Sequence, residues 1–377
     1  MDPGDSLLAA ASDLDALLQA LRRRGYTLLG PRLRDGAVVM DELERASDLP
    51  VGWSDDQDGG RYRVQRRPDG ALFGYAAPLT AWKRWLNPPE AVVWQGRRVK
   101  GGFAAVDEAV PVPRQAFVGV RACDLAALQV RDRVFLGGPF VDSAYRARRE
   151  ATFVLAANCT SPAGTCFCAS TGTGPACGEG YDLLLTEIVS DGRHELLVEI
   201  GSERGAEVAG ELPQRRAEPA DLAEAHALVE AAAGRMGRVL ESEGLRERLQ
   251  RSYESPRFDE VAKRCLACGN CTMVCPTCFC ATLTDATDIT AERAWRRATW
   301  DSCFSQEFSY VHGGSVRTSG GARYRQWLTH KLLTWHDQFG TSGCVGCGRC
   351  ITWCPVGIDI TEEARALGRG EAQGRRA

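Results

Sequence analysis

The sequence has no excess of either charge: 46 Lys and Arg stand against 49 Asp and Glu, a formal −3 over 377 residues. Nucleic-acid binding needs a strong basic excess, so that class is set aside. No apolar run approaches the length of a membrane span. The start, MDPGDSLLAAASDLDALL, is acidic where an export signal would be basic, so a cytoplasmic protein is expected. No G-x-G-x-x-G follows a strand and no P-loop occurs, so a nucleotide site of the chain's own is not expected. Histidine is scarce, five in all, and no Ser/His/Asp or Cys/His constellation stands out. No catalytic residue is therefore assigned. Apolar content of 44% and charged content of 25% are ordinary for a globular chain, here with room for two domains.

What the chain does have is cysteine, sixteen in all. In a reducing compartment these read as metal ligands or reactive thiols before disulfides. Eight of them fall in two copies of one pattern, Cys265-x₂-Cys268-x₂-Cys271-x₃-Cys275-Pro276 and Cys344-x₂-Cys347-x₂-Cys350-x₃-Cys354-Pro355. This is the bacterial ferredoxin run for a [4Fe–4S] cube. Three cysteines at two-residue gaps let a loop curl around one cube, and small residues such as Gly269, Gly346 and Gly348 keep backbone N–H groups near the sulfurs. In two-cluster ferredoxins the fourth cysteine ligates the other cube. One cube is therefore expected on Cys265, Cys268, Cys271 and Cys354, the other on Cys344, Cys347, Cys350 and Cys275. Structural zinc uses separated C-x₂-C pairs, and runs of four ending in Cys-Pro fit it poorly.

Hydrophobic spacing places these motifs in a mixed chain. Leu14, Leu17, Leu18 and Leu21 mark a helix ended by Gly25. Ala37–Met40, Arg61–Gln65, Ala116–Val120 and Thr152–Ala157 read as strands, and Asp182–Val189 with Glu195–Ile200 as a hairpin. Trp82, Trp85 and Trp94 lie among Lys83, Arg84, Arg97, Arg98 and Lys100, a pattern that can meet a nucleotide or a partner subunit but reads first as core edge and solvated face. Pro219 to Gln250 reads as a helical connector with an apolar face of Leu222, Ala225, Val229, Met236 and Leu240. The 68 residues between Cys275 and Cys344 contain two helical patterns, Ile289–Arg297 and one through Tyr324, Leu328, Leu332, Trp335 and Phe339 stopped by Gly340. The expected fold is α+β: an α/β-type domain over 1–210, a connector over 211–254, and a mainly helical, ferredoxin-like dicluster domain over 255–377.

Eight cysteines remain: Cys123, Cys159, Cys166, Cys168, Cys177, Cys278, Cys280 and Cys303. The string Thr-Cys-Phe-Cys-Ala occurs twice, at 165–169 and 277–281. Cys123 and Cys159 follow predicted strands, whose ends converge on one edge in α/β folds. Cys123, Cys159, Cys166 and Cys168 are accordingly candidates for a third cluster; the alternative is buried free thiols. Iron per chain separates the two, about 8 for two cubes and about 12 for three. Cys278, Cys280 and Cys303 are expected to line or shield the dicluster site and to tune it. His330 and His336 are expected to pack or to face solvent.

A family resemblance rests on motifs in a fixed order. They are Val120-Arg-Ala-Cys123-Asp124-Leu, Asn158-Cys159, Thr165-Cys-Phe-Cys168, Gly172-Thr-Gly-Pro175, Gly180-Tyr-Asp-Leu183, Cys275-Pro-Thr-Cys-Phe-Cys280, Trp300-Asp-Ser-Cys-Phe304, His330-Lys331 and Cys344-Val-Gly-Cys-Gly-Arg-Cys350. Over roughly 100–360 the chain resembles the iron–sulfur beta subunit of soluble NAD(P)-linked [NiFe] hydrogenases, the sulfhydrogenases, and is similar also to the A subunit of anaerobic sulfite reductase. The resemblance implies an electron relay between a subunit carrying FAD and NAD(P) and a catalytic module, either the small and large [NiFe] hydrogenase subunits or a sirohaem subunit. A cluster-dependent sensor or an iron–sulfur scaffold is the reading from another class. The chain shows no output module for the first, and two full quartets suit retention better than release.

Overall fold

The computed structural model describes residues 1–106, 112–190 and 192–369. The first half carries β1 (Ser6–Ala10), β2 (Thr27–Arg34), β3 (Ala37–Leu43), the hairpin of β4 (Trp53–Asp58) and β5 (Arg61–Arg66), then β6 (Glu90–Val99) and β7 (Gly102–Ala105). β8 (Gln115–Val120), β9 (Thr152–Ala157), β10 (Leu183–Ser190), β11 (Arg193–Ile200) and β12 (Arg215–Arg216) follow. Eight of these form one mixed sheet in the order β12-β1-β11-β10-β9-β8-β2-β3. Its middle, β2-β8-β9-β10, is parallel and its flanks are antiparallel.

Successive strand residues point to opposite faces, so each face needs its own cover. Val118 and Phe153 join the core beneath the helix Leu14–Arg23, whose Leu14, Leu17, Leu18 and Leu21 are buried. Phe117 and Val154, one residue away, join the opposite core with Leu125 and Leu128 of the helix Ala122–Leu136, Tyr145 and Trp82. Both faces being covered, β8 and β9 are apolar after their first residue, and all six residues of β9 are buried. The ends of β8 and β9 run into Cys123 and Cys159 on the same edge.

The second half has the short helix Arg257–Ala262, where the Ser255 hydroxyl accepts from the Arg257 N–H (3.3 Å). Next come the one-turn helix Asn270–Met273 and the strands β13 (Ala281–Thr287) and β14 (Arg293–Trp300). A longer helical run follows over 320–339, through a π-helical segment His330–Thr334, and ends at Gly340 with φ +69°. The one-turn helix Arg349–Thr352 and the helix Ile360–Arg369 complete it.

Two expectations are corrected. The segment 289–297, expected as helix, is turn and then β14, because β14 pairs on one side with β13 and on the other with β6 from the first half of the chain. The helix that begins at Pro219 stops at Ala233, so Met236 and Leu240 lie beyond it; Leu240 is buried among the C-terminal helices instead. The β13-β14-β6-β7 sheet joins strands from either side of the boundaries expected at 210 and 254, and Ala225 of that helix packs on Leu8, Ile188 and Leu197 of the main sheet.

Candidate metal centres

Both ferredoxin motifs fold alike: a loop, a glycine in the left-handed region (Gly269 φ +75°, Gly348 φ +73°), then one turn of helix. In this turn an N–H two residues ahead points back at a sulfur, from Ala267 to Cys265, Gly346 to Cys344, and Arg349 to Cys347. Cys265, Cys268, Cys271 and Cys354, with Cys350 of the second motif, line one cavity with Phe304, Tyr324 and Trp327, and Ile358 N–H donates to Cys354 Sγ (3.3 Å). This cavity reaches the surface, where Cys268 is exposed and Leu266 is 64% exposed.

Cys275 leaves its own motif and turns toward Cys344, Cys347 and Cys350, whose thiols feel its charge. Lys331, buried at 3% exposure, puts Nζ 3.1 Å from Cys275 Sγ, and the Thr277 hydroxyl lies 3.2 Å from the same sulfur. A hydrogen bond from the Cys278 thiol lowers the Cys275 thiol well below its ordinary range; burial opposes this and Lys331 adds to it. Burial raises the Cys350 thiol well above that range, and Cys344 to about 12. Thiolate ligation to metal removes these protons. Among the described residues no three His, Cys, Asp or Glu side chains close up enough for a single ion.

The first-domain thiols stand against the second motif. Cys159, Cys166 and Cys168 feel one another's charge, and Cys123 faces both Cys168 and Cys347; all four are buried. Ser161 N–H points at the Cys159 sulfur, the same two-residue geometry as in the ferredoxin loops. Cys177, half-buried, feels Cys159, and its N–H donates to Asn158 Oδ1 (2.7 Å). The loop is locked onto the second motif by Phe167 N–H to Gly346 O (2.8 Å) and by Thr173 Oγ1 to Val345 O (2.8 Å). Beside them Arg349 donates to both oxygens of Asp124 (2.8 and 2.7 Å) and to Pro78 O (2.6 Å), with Arg349 and Asp124 both fully buried.

The second Thr-Cys-Phe-Cys string lies on the other side of the same motif, where Thr277 Oγ1 donates to Gly343 O (2.6 Å). Cys278, Cys280 and Cys303 line a cavity walled by Phe308, Trp327, His330 and Trp335. Neither the Cys303 thiol nor the Lys331 ammonium is idle here: a hydrogen bond from Cys303 brings the Cys280 thiol down to about 7 against burial, with Lys331 helping. His330 therefore lines a thiol cavity as well as packing on Trp335, at 4.9 Å between ring centres.

Sequence reading missed the buried cations. Lys83 was expected on a solvated face, yet it is 4% exposed, and burial lowers its ammonium to about 8. Its Nζ donates to Thr272 O (3.1 Å) and Cys278 O (3.3 Å) and sits 4.4 Å from the Trp300 ring. Arg131, 1% exposed, donates to the same Cys278 carbonyl (3.3 Å). Lys331 and Arg349 lay within the motif strings, which was the available signal; for Lys83 and Arg131 nothing in the local sequence marked burial.

A family model for a 4Fe-4S dicluster domain matches residues 264–358. Over 253 residues, 66% of this chain, the sequence is 35% identical to the sulfhydrogenase 2 subunit beta of Pyrococcus furiosus and covers 73% of that protein. No solved structure matches the chain.

Proposed function

The chain belongs to the sulfhydrogenase beta-subunit family, iron–sulfur electron-transfer subunits of sulfhydrogenase-type complexes, and on that premise we propose that it relays electrons between a flavin subunit that handles NAD(P)H and a [NiFe] catalytic module. One cube is assigned to Cys265, Cys268, Cys271 and Cys354, a second to Cys275, Cys344, Cys347 and Cys350, and a third cluster to Cys123, Cys159, Cys166 and Cys168. Bound clusters supply one-electron chemistry, which a partner's flavin couples to the two electrons of a hydride.

The observation that carries this reading is the serial arrangement of thiols. The first quartet reaches the surface at Cys268, the second has Cys275 buried and its other three cysteines half-buried, and Cys123 and Cys168 meet the second at Cys347. Around them the chain excludes water with Phe167, Trp327 and Trp335, all 4% exposed or less, and holds Lys331 where added negative charge is stabilised. Among the described residues no helix is long and apolar enough to cross a membrane.

The test is Cys271→Ser and Cys350→Ser in the intact complex. Each should abolish NAD(P)H-linked hydrogen turnover while sparing hydrogen oxidation with a dye that reaches the catalytic partner directly. Retained NAD(P)-linked turnover would sink the relay. Nickel in the co-purified partner fits the hydrogenase reading, and sirohaem in its place would move the chain to a sulfite reductase. The third cluster is tested by Cys166→Ser, which should lower iron by about four per chain.

A further inference from the structure

Cys278, Cys280 and Cys303 belong to neither quartet nor to the first-domain group, yet the fold brings them to one wall of one cavity. The β13–β14 hairpin does this. Its foot is the Ala281–Trp300 pair, and Asp301 N–H donates to Cys280 O (2.9 Å), which seats Cys303 against Cys280. Cys303 N–H also points at the Cys280 sulfur, as backbone amides do at the ferredoxin thiols. Cys280 and Cys278 share the string that, at 165–169, carries Cys166 and Cys168.

The second observation is charge. Lys83, Arg131 and Lys331 are each under 5% exposed, and none pairs with a carboxylate among the described residues. Lys331 is answered by Cys275 of the second quartet. Lys83 and Arg131 instead converge on the Cys278 carbonyl, and Arg131 keeps Nε and one Nη with no acceptor at all. Buried cations without a counter-charge are costly, and thiolates on a metal cluster would supply one.

We propose that Cys278, Cys280 and Cys303 hold a further iron–sulfur cluster through three thiolates, its fourth metal position turned to the cavity bounded by Phe308, Trp327, His330 and Trp335. No fourth cysteine lines that cavity, and His330 Nε2 is engaged by Gln338 Oε1 (2.9 Å). A small exogenous ligand can therefore reach the open position. This site goes beyond the relay reading and needs no partner: its test reads metal and spectra, whereas the relay test reads turnover.

The experiment uses the full chain, produced and purified anaerobically. Cys280→Ser and Cys303→Ser should each lose about four iron and four labile sulfide per chain relative to the parent, with the electron paramagnetic resonance signals of the other clusters retained. Unchanged iron overturns the site, as does a Cys280–Cys303 disulfide found in the anaerobic parent. Should both variants lose all iron, the parent decides. Cyanide added to the reduced parent should shift one cluster signal, because one iron lacks a cysteine; a spectrum that cyanide leaves untouched overturns the proposal.

Discussion

The two ferredoxin motifs share one spacing and one local fold but live in different surroundings. The first opens to solvent at Cys268 and Leu266, and its neighbours are the aromatic rings of Phe304, Tyr324 and Trp327. The second is enclosed: the first-domain loop 165–168 lies on one side, the second Thr-Cys-Phe-Cys string on the other, and Lys331 and the Arg349–Asp124 pair are close by. Identical ligand patterns therefore give one quartet with an exposed cysteine, Cys268, and one with a buried cysteine, Cys275, packed between segments from both halves of the chain. The distinction comes from which distant segments each motif recruits.

The sharpest way to break the comparison is at the buried pair, which only the second motif has. Asp124→Asn leaves the Arg349 charge buried with carbonyls alone, and breaking such a pair costs about 3–5 kcal/mol. Thermal unfolding of the anaerobic chain should show that loss, with the second-quartet signal weakened before the first. The equivalent glycines make a finer test. An added Cβ at Gly348 would lie 2.4 Å from Thr165 O, whereas at Gly269 it meets the Ser302 hydroxyl at 3.2 Å. Both positions carry the left-handed penalty, about 1–2 kcal/mol. Gly348→Ala should exceed Gly269→Ala by about 1–3 kcal/mol, because rigid backbone cannot yield as a side chain can. Equal losses would mean the first-domain loop is not held as described.

Electrostatics give the next contrast. Lys331→Gln removes a cation from beside Cys275, so reduction of the second-quartet cluster becomes less favourable. Its potential should fall by about 60 mV, a tenfold change for a one-electron couple, while the first quartet's stays put; redox titration followed by electron paramagnetic resonance measures both. The smallest effect is expected at the surface. Leu266→Asp should slow partner-linked turnover by about tenfold or less, the range of a single interface contact, without changing the iron content or either potential. A potential shift there would mean Leu266 acts on the cluster and not on docking.

Much of this was legible in the chain. The two quartets announce themselves by spacing, and β8 and β9 by short apolar runs, since ligand spacing and strand burial are local properties. The repeated Thr-Cys-Phe-Cys strings were visible too, though not that they flank one motif. The segment 289–297 was misread because Ala-Glu-Arg-Ala-Trp-Arg-Arg has good helix formers, and only pairing with β6, some two hundred residues earlier, makes it a strand. Lys83 was read as solvated for the same reason: its burial is decided by Thr272, Cys278 and Trp300, none of them near it in sequence.

The sequence by itself determined that this chain carries two ferredoxin-type quartets and eight further cysteines in a mixed α and β setting, because thiol spacing and hydrophobic period act over a few residues. Tertiary structure alone decided which quartet meets solvent, which thiols face the second motif, and where Lys83, Arg131 and Lys331 place their charge. Those outcomes depend on contacts between residues far apart in sequence, 56 apart for Lys331 and Cys275 and 189 for Lys83 and Thr272, and no local pattern encodes them.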